Sequence, residues 1–346
     1  MQLPYIPDFD LQSAEQAKLR QNTLTKPEGS LGRLEALSIQ LAGICGVSNP
    51  SFARKAVIVM AGDHGVTAEG ISAYPSAVTK QMVFNFLRGG AAINVLARGA
   101  GARVIVVDIG VAAELEGAAS LIHHKIDNGT QNISRGPAMT RGQAEEAIRV
   151  GMEVAEAEIA KGLDILAVGE MGIGNTTPSS AITSLYTALP VRLVTGRGTG
   201  LAEAGFIHKI EVIEQSIAVN KPDPADPIDV LSKVGGFEIG GLVGSILCAA
   251  AHRLPVVLDG FISGAAALLA VELEPRVKPF LIASHLSVEA GHRAILERLG
   301  LRPLLDLDLR LGEGTGAALA FHLIDAAVNT LNEMATFSEA GVSGRE

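Results

Sequence analysis

Five short apolar runs recur through the middle of the chain, each stopping at a segment of small or polar residues. They are Val57-Ile58-Val59-Met60, Val104-Ile105-Val106-Val107, Ile165-Leu166-Ala167-Val168, Val256-Val257-Leu258 and Phe280-Leu281-Ile282. Runs this short and this continuous predict strands buried on both faces, which is the habit of a parallel sheet. Leu121-Ile122-His123-His124-Lys125-Ile126 is less apolar and reads as an edge strand. Helix-length segments separate the runs. The clearest is predicted over 142–161: Thr140-Arg141-Gly142-Gln143 is a capping box, and Gly162 closes the helix before the next strand. Alternating strand and helix defines an α/β fold with a doubly wound, mainly parallel sheet and right-handed crossovers.

The ends of the chain differ from its middle. Residues 11–24 are moderately amphipathic, and a loop with breakers follows at Thr25-Lys26-Pro27-Glu28-Gly29-Ser30. Leu31, Leu34, Leu37, Leu41 and Ile44 then stand at helical spacing, as does the segment Ala317 to Leu331. The tail beyond Met334 is small, polar and expected to fray. With 346 residues and 48% hydrophobic content, the chain can bury one large core or about two. Its 39 glycines and 4% aromatics suit close packing of helices on a sheet.

The same composition excludes several classes of function. A net charge of −9 without a dense Lys/Arg run argues against nucleic-acid binding, which depends on neutralising phosphates. Cys45 and Cys248 each lie in an apolar segment and read as reduced core residues. No apolar run reaches a membrane-spanning length, and residues 1–10 carry Asp8 and Asp10 instead of a basic segment before an apolar block. A cytoplasmic location is therefore expected.

In doubly wound sheets, ligands bind beyond the carboxyl ends of the strands. Gly62-Asp63-His64-Gly65, Gly169 to Thr177, Asp259 to Gly264 and Ser284 to Ser287 occupy those positions. The second is the richest: Gly169-Glu170-Met171-Gly172-Ile173-Gly174-Asn175-Thr176-Thr177-Pro178 leaves a strand and enters a helix, with Thr177 as N-cap. Glycines, hydroxyls and a helix N-terminus together suit a phosphate. Thr195-Gly196-Arg197-Gly198-Thr199-Gly200 is another glycine loop, and Lys209 follows about two turns into the next helix. Lys209 taken alone reads as solvated; folded back, it would be a point charge for a phosphate. His64, His285 and His292 read as structural, since no zinc-type or H-E-x-x-H spacing connects the histidines. Asp306 and Asp308 alternate with leucines, as on a half-buried strand with its acidic side to solvent. Leu311-Gly312-Glu313-Gly314-Thr315-Gly316 sets one carboxylate among glycines before a helix, either as a helix-end charge or as a reactive group in a cleft.

These motifs also occur as an ordered set. Lys26-Pro-Glu-Gly-Ser-Leu-Gly-Arg-Leu-Glu35, Ala61-Gly-Asp-His-Gly-Val66, Pro75-Ser-Ala-Val-Thr79, Gly169-Glu-Met-Gly-Ile-Gly-Asn-Thr-Thr177, Leu258-Asp-Gly-Phe-Ile-Ser-Gly264, Ser284-His-Leu-Ser-Val-Glu-Ala-Gly-His292 and Leu311-Gly-Glu-Gly-Thr-Gly316 run in that sequence. The set closely resembles the nicotinate-nucleotide–dimethylbenzimidazole phosphoribosyltransferase family over residues 20–332. The resemblance implies a Rossmann-like large domain over 51–295 and a smaller, mostly helical domain built from 1–50 plus 296–346, in a homodimer. It implies transfer of phosphoribose from nicotinate mononucleotide to 5,6-dimethylbenzimidazole, with neither metal nor cofactor.

By the same resemblance Glu313 is the general base, with Glu170 in reserve. Glu170, Gly172, Gly174, Asn175, Thr176, Thr177, Lys209, Ser287 and Gly314 surround the nucleotide and its phosphate, and Tyr74, Ser76, Gln81 and Leu311 hold the benzimidazole. Two rival readings stay open on the residues alone. A dinucleotide-dependent oxidoreductase would need a G-x-G-x-x-G turn after an early strand, where this chain has Gly62-Asp63-His64-Gly65. A non-catalytic nucleotide-binding protein would leave Glu313 without a task.

Overall fold

A computed structural model describes residues 1–115, 117–118, 120–198 and 200–343. Thr199 of the second glycine loop lies outside the described residues. The strands are β1 (Lys55–Gly62), β2 (Ala102–Gly110), β3 (Ile122–His123), β4 (Ile165–Met171), β5 (Val256–Leu258) and β6 (Leu281–Ala283). All neighbouring pairs are parallel, in the order β3-β2-β1-β4-β5-β6. The winding direction therefore reverses between β1 and β4, which is the switch point of a doubly wound sheet.

The helices are α1 (Leu11–Thr23), α2 (Arg33–Cys45), α3 (Ala77–Leu87), α4 (Ala92–Gly99), α5 (Arg141–Ala160), α6 (Thr176–Thr187), α7 (Val191–Val194) and α8 (Glu203–Asn220). They continue with α9 (Pro227–Val234), α10 (Phe237–Ala251), α11 (Phe261–Leu273), α12 (Ala290–Leu299), α13 (Thr315–Glu333) and α14 (Phe337–Ala340). Among the described residues no helix is long and apolar enough to cross a membrane.

Every residue of β1 is buried, as its unbroken apolar run requires. Successive side chains go to opposite faces. Ile58 and Met60 join the core beneath α5, α6, α10 and α11, whereas Val57 and Val59 join Leu41 of α2, Ile93 of α4 and Phe321 of α13. Lys55, the one charge in the strand, is paired with Asp325 at 3.1 Å. The chain ends meet: Arg20 Nε donates to the Leu331 carbonyl at 2.6 Å, and Leu24 forms an antiparallel bridge with Thr336.

Glycines set how closely α5 and α10 approach. A Cβ on Gly244 would stand 1.8 Å from the Ile148 carbonyl oxygen, and one on Gly151 would stand 1.9 Å from that of Gly241. Both obstacles are backbone, so no rotamer change relieves them. Gly244→Ala is expected to lower stability by about 1–3 kcal/mol, the usual cost of overpacking. A urea midpoint equal to that of the native chain would contradict this packing account.

Three local expectations need correction. Residues 303–308 are not a strand. Leu304 and Leu305 N–H groups donate to Ala283 and Ser284 carbonyls, but Asp306, Leu307 and Asp308 are exposed, and Asp308 turns the chain with φ 55°. Helix α6 begins earlier than expected: Asn175, not Thr177, is the N-cap, and Pro178 sits in the first turn, where a missing N–H costs nothing. The tail does not simply fray, because Thr336 and Glu339 form a capping box that opens α14.

Candidate active site

At the end of β5 and the start of α13, the turn Gly312-Glu313-Gly314 runs through three left-handed residues, with φ of 86°, 64° and 93°. Glycine adopts these angles freely, but Glu313 does so at a cost of about 1–2 kcal/mol. The surroundings hold it there. Asp259, immediately after β5, accepts N–H groups from Gly314 at 3.1 Å, Gly316 at 2.7 Å and Ala317 at 3.3 Å. It caps α13 and ties the turn to the sheet. Gly169 of β4 backs the turn so closely that a Cβ there would stand 2.4 Å from the Glu313 carbonyl oxygen.

The strained turn aims the Glu313 carboxyl into a cleft of about 710 Å³ over the carboxyl ends of β4, β5 and β6. Its Oε2 accepts the Ile93 N–H at 3.4 Å, in the first turn of α4. Burial raises the Glu313 pKa above its ordinary value, and the Ile93 N–H partly opposes that rise.

Three further buried carboxyls share the cleft: Glu170, Asp259 and Glu289. Glu170, at the end of β4, accepts a hydrogen bond from the Asn175 side-chain amide. Burial, and then the charges of Asp259 and Glu238, push its pKa up to about 8. These surroundings favour the protonated form of Glu170. Burial also lifts Asp259 to about 7, against the pull of its three backbone donors and with help from the charge of Glu313.

One end of the cleft is formed by Gly172, Gly174, Asn175, Thr176, Gly198, Ser287, Glu289 and Arg310. Lys209 lies just behind it. It is 1% exposed, and its Nζ donates to Thr176 Oγ1 at 2.6 Å, so the solvated reading is overturned. Burial lowers its pKa to about 8, with Glu289 pulling the other way. Burial likewise raises Glu289, opposed by Lys209 and Arg310. The rest of the lining includes an apolar group, Ile71, Val78, Met82 and Leu311, with the exposed Tyr74.

Most of the residues singled out in the sequence line this one cleft: Glu313, Glu170, Gly172, Gly174, Asn175, Thr176, Ser287, Tyr74 and Leu311. Thr177 and Gly314 are buried beside it and do not line it. Ser76 and Gln81 are exposed and outside the lining; Met82 takes the place expected of Gln81. His64 and His292 are held by hydrogen bonds within the fold. His64 Nε2 lies 2.8 Å from Glu238 Oε1; burial resists its protonation, but the charge and hydrogen bond of Glu238 prevail and raise its pKa. His292 Nδ1 accepts the Ser287 N–H at 2.9 Å, so it is neutral, and burial takes it down to about 3. His285 lines the cleft and is lowered by burial to about 4. Asp259, Glu238, Glu289 and Arg310 are among the polar residues that sequence reasoning did not single out. Only Asp259 had a signal, as the first residue after a buried run.

The fold and the cleft together define an α/β enzyme with its site beyond the carboxyl ends of the strands of a doubly wound parallel sheet. A family model described as phosphoribosyltransferase matches residues 6–342. The nicotinate-nucleotide–dimethylbenzimidazole phosphoribosyltransferase of Roseiflexus sp. (strain RS-1) is 60% identical over 337 residues, covering 97% of this chain and 96% of that protein. Its counterpart in Geobacter sulfurreducens is 55% identical, covering 96% and 95%. A crystal structure of the enzyme of that name from Thermus thermophilus superposes with a TM-score of 0.92 at 48% identity, covering 97% of this chain and all of that one. The chain belongs to the nicotinate-nucleotide–dimethylbenzimidazole phosphoribosyltransferase family.

Proposed function

We propose that this chain transfers the 5-phosphoribosyl group of nicotinate mononucleotide to a ring nitrogen of 5,6-dimethylbenzimidazole, giving α-ribazole 5′-phosphate and nicotinate. The observation that carries the mechanism is the Glu313 carboxyl, buried yet facing the cleft. The nicotinate ring begins as a pyridinium. When its bond to the sugar breaks, the electron pair returns to the ring nitrogen and a neutral pyridine departs, so the leaving side needs no acid. The acceptor is different. Its attacking nitrogen forms the new bond to the anomeric carbon, and its other nitrogen must lose a proton to avoid a cationic product. Glu313 takes that proton.

Glu170 is less suited to this role because burial and the neighbouring carboxylates favour its protonated form. Attack on the face opposite the leaving ring inverts the β nucleotide to an α product, and holding the two rings in line supplies further acceleration. The apolar group of Val78, Met82 and Leu311, with Tyr74, suits the methylated aromatic acceptor. Ser76 and Gln81 enter this reading only as outer positions of the same segment. The N-terminus of α6, with Gly172, Gly174, Asn175, Thr176 and Thr177, suits the phosphate, with Ser287 and Lys209 alongside.

Lys209→Ala is expected to raise the KM for nicotinate mononucleotide roughly 10- to 100-fold, the loss of one charge-assisted hydrogen bond. The KM for the acceptor should stay within about threefold. Equal losses for both substrates would remove Lys209 from the phosphate site.

The reading also includes a homodimer, which sedimentation equilibrium tests, and a smaller domain from both chain ends. The contacts of Arg20 and Leu24 with residues 331–336 support that second element. The activity itself is tested by incubating the protein with both substrates and following the products by NMR. One nicotinate released per α-configured nucleotide is the expected result. A β-configured product, or no nicotinate, would refute the proposal.

A further inference from the structure

At the amino end of the sheet, remote from the cleft, three side chains of different chemistry converge. Cys248 is in the last turn of α10 and His252 is its C-cap, four residues on and on the same helix face. Glu156 reaches them from the last turns of α5. Cys248 Sγ lies 3.4 Å from Glu156 Oε2, and His252 Nε2 lies 2.7 Å from the same oxygen. The three donor atoms all fall within 4.8 Å of one another, and no other such group occurs among the described residues.

We propose that Glu156, Cys248 and His252 form a binding site for a divalent cation of the zinc type, with water as the fourth ligand. One sulfur, one imidazole nitrogen and one carboxylate oxygen are the donor types zinc takes, and tetrahedral coordination puts such atoms roughly 3.3–3.7 Å apart. The Cys248–Glu156 separation of 3.4 Å falls in that range and the His252–Glu156 separation of 2.7 Å is shorter, so small side-chain rotations bring the donors into place. The charges also match: a thiolate and a carboxylate together neutralise a doubly charged ion.

The backbone holds the donors in register. Gly151 of α5 and Gly241 and Gly244 of α10 bring the two helices into backbone contact. Ser245 Oγ adds a hydrogen bond to the Gly151 carbonyl at 3.2 Å. Cys248 lies one turn beyond Gly244, so the clamp reaches the cluster directly. Cys248 itself is buried, whereas His252 and Glu156 are exposed. The pocket thus has a closed sulfur side and an open side for ion entry and for water. Burial and Glu156 push the free Cys248 thiol up to about 12, so without an ion it keeps its proton and is a poor nucleophile. The ion replaces that proton, which passes to solvent.

Because the cluster joins the ends of the helices that lead into β4 and β5, its occupant acts as a staple behind the sheet and takes no part in the transfer. Sequence reading offered no such site, because Glu156 and Cys248 are separated by 92 residues. The sequence reading expected no metal anywhere in the chain, and this site departs from that expectation.

The test is Co²⁺ titration of the chelator-treated full-length protein, followed by optical spectroscopy and competition with Zn²⁺. One ion per chain is expected, with a thiolate-to-cobalt charge-transfer band that Zn²⁺ abolishes. Cys248→Ser should remove the band and leave phosphoribosyl transfer unchanged. His252→Ala, at an exposed position that tolerates truncation, should weaken binding by at least about 10-fold. Absence of a charge-transfer band at saturating Co²⁺, a band that persists in Cys248→Ser, or unchanged affinity in His252→Ala would each overturn the proposal.

Discussion

Glu313→Gln is expected to lower kcat by about 10²–10⁴, the usual worth of a positioned general base. Both KM values should change little. The amide has the shape of the carboxyl, and its oxygen can still accept the Ile93 N–H that Glu313 accepts at 3.4 Å. The turn should survive too, since its left-handed path is fixed by Asp259 and the flanking glycines and not by the charge of residue 313. The substitution therefore removes a proton acceptor and almost nothing else. Initial rates at saturating substrate, with circular dichroism to verify the fold, measure the effect. Turnover within a few-fold of the native enzyme would exclude Glu313 as the base.

Gly169→Ala should cost about 10² in kcat without touching any reacting group. Its new Cβ would stand 2.4 Å from the Glu313 carbonyl oxygen and 2.7 Å from the Gly314 nitrogen. Both are backbone atoms, so the whole turn has to shift. A displacement of about 1 Å in a catalytic group is enough for a loss of that order. Asp259 tethers the far side of the turn, so the shift should move the carboxylate more than it unfolds the helix. A Gly169→Ala enzyme with native kcat would show that the close approach of β4 to the turn does not position the base.

The sheet was legible because buried parallel strands have to be continuous apolar runs. Val57 to Met60 and Ile165 to Val168 lie wholly within β1 and β4, and even the two-residue edge strand falls inside the weaker run at 121–126. Strand order was not legible, because it is decided by crossovers and packing that leave no local mark. The candidate site shows the same division. Loops at strand ends could be found by rule, and Glu170 and Glu313 were found that way.

Lys209 could not be placed from its own neighbourhood. Its partner, Thr176, is 33 residues away, and only the fold shows that a residue type usually solvated is here enclosed. Asp306 and Asp308 misled in the opposite direction. Their alternation with leucines imitates a strand, but β6 ends at Ala283, only an isolated bridge joins His285 to Leu305, and the chain turns at Asp308 toward the cleft. Gln81 and Met82 differ by one position on α3, a rotation of about 100° that decides which one faces the cleft.

The most direct test of the proton-transfer account is the pH dependence of kcat/KM in the native enzyme and in Glu313→Gln, measured with nicotinate mononucleotide and 5,6-dimethylbenzimidazole. Burial holds the Glu313 pKa above its ordinary value, and only the ionised form can accept a proton. Native activity should therefore fall as pH drops through that raised value, on a limb above the normal glutamate range near about 4.3. The limb should be missing from the residual activity of Glu313→Gln. The same acid limb in both proteins would contradict the account, because the group that titrates would then be something other than Glu313.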